Sequence, residues 1–179
     1  AAVTTRVLIT KPNGEPKGIF LLFRGGQGFL VNSAGGIGGG DARILAGLGY
    51  VAAIVDVPSD QPRGLEGQAG QLERFRVAAE HTTDARAVVD ALHARWPVPV
   101  YLLGHSMGAI SVAHIAATLG DRRLNGLVLS SSPTQRGWQG SWVSVPSAAL
   151  DKVTVPVLLV HHQQDACSLL RLANSGSKL

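Results

Sequence analysis

Three near-continuous apolar runs, Tyr50 to Val57, Val98 to Leu103 and Leu124 to Leu129, constrain this chain more than any other feature. Strands that read as unbroken apolar runs are buried on both faces, which happens in parallel sheets covered by helices rather than in sheets with one wet face. The segments between the runs carry a helical period. In one of them Ala85, Val88, Val89, Leu92 and Trp96 recur at i, i+3, i+4, i+7 and i+11 before Pro97 stops the helix. Met107 to Leu119 reads as another helix, and Asp41 to Leu48 as a short one ending at Gly49. Val3 to Ile9 and Ile19 to Phe23, separated by turn residues from Lys11 to Pro16, read as early strands, and Val153 to His161 completes the series. Alternation at this spacing predicts a three-layer α/β architecture with a mostly parallel sheet, in one domain spanning residues 1–179. Ligands of such sheets bind at the carboxyl ends of the strands, so functional residues belong just after them.

Composition narrows the partners. With 45% apolar residues the chain has material for one packed core, and no apolar stretch approaches the ~20 residues that cross a bilayer, so no membrane span is expected. The net charge of +4 comes from scattered Arg and Lys with no basic run interleaved with aromatics, which argues for solvated surface and against a nucleic-acid partner. Cys167 is the sole cysteine, excluding an internal disulfide and a thiolate zinc site within the chain; no metal or cofactor is expected. The start, Ala1-Ala2-Val3, has no signal-type apolar segment and fits either a mature exported form or a trimmed piece.

The segment Gly104-His105-Ser106-Met107-Gly108 carries the chemistry. In a chain with 22 glycines a Gly-x-Ser-x-Gly pattern is weak by itself. Its context makes it specific: the serine lies between a buried strand and a helix, the strand-turn-helix setting in which a strained turn lifts a serine hydroxyl above a sheet. Small residues two positions either side admit the tight turn, and the helix N-terminus directs free N–H groups at an oxyanion formed there, with Met107 N–H the expected donor. The alternative for Ser106 is an ordinary helix N-cap. His105 points away from its neighbour on such a turn and is expected to pack or hydrogen-bond rather than serve as base.

A second oxyanion donor is expected in Arg24-Gly25-Gly26-Gln27-Gly28-Phe29, after the strand Ile19 to Phe23, with Gly26 the first choice and Gln27 the second. A phosphate cradle is disfavoured because no Gly-Lys-Ser/Thr ending follows. Asp165, after the strand Val155 to Val160, stands where the acid that orients a base belongs; Asp56 is the weaker alternative, and a helix N-cap is the plain reading of Asp165. Trp138 and Trp142, in the loop-like stretch Ser130 to Ser147, are candidates for substrate lining or for ordinary packing.

The base is the gap. A histidine is expected after the acid, yet all six histidines, His81, His93, His105, His114, His161 and His162, precede Asp165. His81, His93 and His114 read as structural or solvent-facing, away from the strand ends. His161 and His162 lie at the correct sheet edge but too near Asp165 in the chain. The expectation is that a last strand, a last helix and the general-base histidine lie beyond Leu179.

With elbow, glycine loop and acid segment in place, the chain resembles the α/β-hydrolase superfamily over nearly its whole length. The resemblance implies Ser106 as nucleophile, Met107 and a residue of Gly26-Gln27 as oxyanion donors, and Asp165 as acid. The expected reaction is hydrolysis of a small-molecule carboxylic ester, with amides, lactones and thioesters open as alternatives because relatives that act on them share these motifs. Ile54-Val55-Asp56-Val57-Pro58-Ser59-Asp60 and His161-His162-Gln163-Gln164-Asp165-Ala166-Cys167 further resemble a group of bacterial hydrolases, many of them exported. That narrower resemblance implies a secreted or periplasmic location and a second cysteine, beyond Leu179, to pair with Cys167. The competing expectation is an inactive binding or scaffold protein on the same fold.

Overall fold

Apolar strands buried on both faces need helices above and below, and the chain supplies them. The structure, a computed structural model, describes residues 2–26, 39–61, 74–120, 123–134 and 143–162. In chain order the elements are β1 (Val7–Thr10), β2 (Ile19–Phe23), α1 (Gly39–Gly47), β3 (Val51–Val55), α2 (Ala79–Arg95), β4 (Val100–His105), α3 (Met107–Leu119), β5 (Gly126–Ser130) and β6 (Val157–Val160). Two short 3-10 turns, Val145–Ser147 and Leu150–Lys152, precede β6.

The described strands form one six-stranded sheet in the order β1-β3-β2-β4-β5-β6, with β1 antiparallel to β3 and every other pairing parallel. Alternate residues of the central strands feed two cores. Ile19, Leu21 and Phe23 of β2 and Val51, Ala53 and Val55 of β3 pack with α2 and α3. Leu22, Ala52 and Ile54 face the other way, against Ala42 and Leu45 of α1. The three-layer, mostly parallel architecture read from the sequence is therefore the one observed. Burial of the central strand residues is near complete, worth ~1.5–3 kcal/mol for each large aliphatic side chain.

Element ends differ from expectation where prolines intervene. Pro97 and Pro99 bring no N–H to a ladder, so β4 begins at Val100 and runs on through His105 rather than spanning Val98 to Leu103. Pro156 likewise confines β6 to Val157–Val160, and the residues before it form the turn at Leu150–Lys152. Trp96 lies at the end of α2 with the Arg95 guanidinium 4.5 Å over its ring.

The connection after β2 runs to β3 on one side, and the connection after β3 returns to β4 on the other. The carboxyl ends of β2 and β4 therefore flank the point where the strand order reverses, which is where open α/β sheets leave a crevice for ligands. Phe23-Arg24-Gly25 and His105-Ser106 stand at that crevice. No helix among the described residues is long and apolar enough to cross a membrane.

Candidate active site

Ser106 joins β4 to α3 with φ 52° and ψ −125°, a conformation that only strong local packing holds in a non-glycine residue. Two glycines make the turn possible. A Cβ at Gly104 would lie 2.5 Å from Gly108 O and from Val112 Cγ2, and one at Gly108 would collide with Phe23 O. The helix thus packs directly on the ends of β2 and β4, and Ser106 N–H donates to Ser130 O (2.9 Å), tying the turn to β5. The Ser106 side chain is half-buried and makes no capping hydrogen bond, so the N-cap reading of its sequence position is not what the hydroxyl does.

Met107 is the first residue of α3, and its N–H has no intrahelical acceptor. That leaves a free donor beside Ser106 at the positive end of the helix. Opposite it lies Gly25: a Cβ built there would stand 2.8 Å from Ser106 Cβ and 3.4 Å from Ser106 Oγ. Gly26 follows with φ +55°. Sequence pattern singled out Gly26 and Gln27 in this loop; Gly25 is the residue whose backbone abuts the serine, and Gln27 lies outside the described residues. Asp165, Cys167, Trp138 and Trp142 also lie outside them.

The histidines separate clearly. His105 Nδ1 lies 3.2 Å from Ser130 Oγ, a hydrogen-bonding role across β4 and β5 in keeping with its sequence reading. His93 is exposed, and His161 and His162 follow β6, with β5 between them and β4. Among the described residues no hydrogen bond joins Ser106 Oγ to any of the six.

His81 is a correction. It is not remote from the strand ends but buried at the carboxyl end of β2, its ring 5.8 Å from Phe23 and 4.5 Å from Phe75. Neither ring nitrogen has a hydrogen-bond partner. Burial, with help from the charge of Arg76 and from His114, pushes its pKa from 6.5 down to about 3, so the ring is neutral at physiological pH. His114, half-buried on α3, is also pushed down by burial. The position of His81 was readable: it precedes Ala85 by four residues and so falls on the buried stripe of α2.

Asp56, after β3, is fully engaged. Its Oδ2 accepts from Arg6 Nε (2.9 Å) and Nη2 (2.5 Å), and its Oδ1 accepts from Val57 N–H (2.9 Å). The pair ties β1 to the end of β3 and explains Asp56 without a catalytic role. Arg76, which carries no motif, proves central: Nη1 donates to Ser111 Oγ (2.9 Å), and Nη2 donates to Gly26 O (2.8 Å) and Arg24 O (3.3 Å).

The cavity between Phe23, Asp56, Phe75, Arg76 and His81 holds only about 20 Å³, room for one water molecule and too small for a substrate. The larger groove, about 490 Å³ between the β1–β2 turn and the end of α1, lies at the opposite end of the strands from Ser106.

A mostly parallel sheet with a serine on a strained strand-to-helix turn at its switch point, backed by a glycine loop, defines the α/β-hydrolase class. Residues 42–172 match the family described as Serine aminopeptidase, S33, and the chain belongs to that family, as a serine hydrolase of the α/β-hydrolase kind. Solved structures agree on the fold. An α/β serine hydrolase homologue from Coxiella burnetii is 22% identical, with 93% of this chain and 71% of that one covered and a TM-score of 0.60. Est1E from Butyrivibrio proteoclasticus is 20% identical, with coverages of 90% and 74% and a TM-score of 0.61. A cold-adapted esterase from an Arctic intertidal metagenomic library is 20% identical, with coverages of 88% and 71% and a TM-score of 0.56. Among curated proteins none matches the chain.

Proposed function

We propose that this serine hydrolase cleaves small carboxylic esters through an acyl-enzyme formed on Ser106. The observation that carries the reading is the Ser106 turn itself: φ 52°, the free N–H of Met107 on one side and the Gly25 backbone on the other. In the proposed reaction Ser106 Oγ attacks the ester carbonyl as a histidine base takes its proton. The carbonyl oxygen gains charge and accepts from Met107 N–H and from an N–H of the Gly26-Gln27 loop, an arrangement in which each donor is worth ~10²–10³ in rate. The base returns the proton to the departing alkoxide, and water then releases the acid and regenerates Ser106. Asp165 is the proposed acid that orients the base, and Trp138 and Trp142 the proposed lining of the acyl or alcohol pocket.

The family description favours a second reading, cleavage of an amide in an aminopeptidase reaction. A single comparison separates them. The ester reading predicts that p-nitrophenyl butyrate is turned over with an initial burst of p-nitrophenol, that leucine p-nitroanilide is a far poorer substrate, and that Ser106→Ala removes both activities. Preferential release of p-nitroaniline with Ser106 intact would replace the ester reading by the amide one.

A further inference from the structure

The loop after β2 has to hold its peptide N–H groups still beside Ser106, yet its glycines make it intrinsically soft backbone. One buried side chain takes up its carbonyls. Arg76, 5% exposed and carried by the helical turn at residues 74–76, bonds Arg24 O and Gly26 O in the loop and Ser111 Oγ on α3. Ser111 is completely buried, and α3 is the helix that starts directly after Ser106. A planar guanidinium serves the two partners from separate nitrogens held in a fixed fork, whereas an ammonium has a single nitrogen on a flexible stem to share between them.

The direction of the loop's donors follows from these bonds. None of the described peptide bonds is cis, and a trans peptide sends its C=O and N–H to opposite sides. Holding the Arg24 carbonyl therefore fixes the Arg24–Gly25 peptide, whose Gly25 abuts the Ser106 side chain and leads directly into Gly26, the first residue of the donor pair.

We propose that Arg76 is a positioning residue: it braces the oxyanion loop against the nucleophile helix and so sets the distance between the loop's N–H donors and Ser106. The proposal rests on the reading of Ser106 as nucleophile. Arg76 touches no reacting atom in this account and acts on the transition state through the loop it holds.

The test measures kcat, KM and the affinity for an aryl trifluoromethyl ketone, whose serine adduct places an oxyanion in the hole, for wild type, Arg76→Met, Arg76→Lys and Ser111→Ala. Arg76→Met is expected to lower kcat by about 10- to 100-fold, part of what loss of a whole donor costs, with KM little changed and ketone affinity down by the same factor. Arg76→Lys recovers little, and Ser111→Ala gives a smaller loss in the same direction. Folded Arg76→Met with unchanged kcat and ketone affinity overturns the brace, as does an equal fall in substrate and ketone binding. If Arg76→Met does not fold, Ser111→Ala decides by the same criteria. A wild type inert to both ester and ketone instead overturns the nucleophile reading beneath the proposal.

Discussion

Ser106 shows how a single residue's backbone is set by what surrounds it. Its φ of 52° is held because Gly104 and Gly108 let α3 sit against β4 and the end of β2, and because Ser106 N–H bonds Ser130 O. Such conformations cost ~1–3 kcal/mol in a residue with a Cβ, and glycine adopts them freely. Ser106→Gly is therefore expected to be more stable than Ser106→Ala by about 1 kcal/mol in denaturant unfolding, although both lack the hydroxyl. Equal stabilities would show that the turn is unstrained. The neighbouring His105, bonded to Ser130, and the engaged Asp56 show how much polar chemistry at the strand ends serves the scaffold.

At the scale of elements, the strands β2, β3, β4 and β5 were legible because burial on both faces writes an apolar run, and α3 because its apolar residues continue all round it. Strand ends were less legible where proline intervened, at Pro99 and Pro156, since side-chain hydropathy does not register a missing N–H. The elbow was readable as a strand-turn-helix, and the glycine loop as its partner. Arg76 was not: an arginine near the end of a polar stretch reads as solvated surface, and its burial depends on acceptors, Ser111 Oγ, Arg24 O and Gly26 O among them, that only the fold brings together. The same holds for the Arg6–Asp56 tie between β1 and β3, fifty residues apart in the chain. That tie makes Asp56→Asn a stability variant, expected to cost about 1–2 kcal/mol because a charge-assisted bond is lost while Arg6 is half exposed. Asp165→Asn is expected to do the reverse, lowering kcat by orders of magnitude with stability little changed. Equal kcat losses in the folded variants would contradict the assignment of Asp165 as acid.

At the scale of the molecule, the sheet order places the ends of β2 and β4 side by side, and burial beneath them, with the charge of Arg76 close by, keeps His81 neutral. The consequence for stability has a definite sign. With its folded pKa pushed from 6.5 to about 3, His81 contributes fully above pH 6.5, and the contribution is lost as pH falls toward 3, because the unfolded chain takes up a proton that the folded one refuses. The slope is about 1.4 kcal/mol per pH unit for that one group. His81→Phe is expected to flatten the stability profile between about pH 6 and pH 4 by this amount, and an unchanged slope would place the pH sensitivity elsewhere. The same geometry that buries His81 sets the half-buried Ser106 at the switch point, and on that serine the functional account stands. The most direct measurement is labelling of the full-length protein by a fluorophosphonate, followed by peptide mass spectrometry. The account predicts one adduct per molecule, on Ser106, absent from Ser106→Ala and from protein unfolded beforehand; no adduct, or one on another residue, would contradict it and favour an inactive protein on a hydrolase fold.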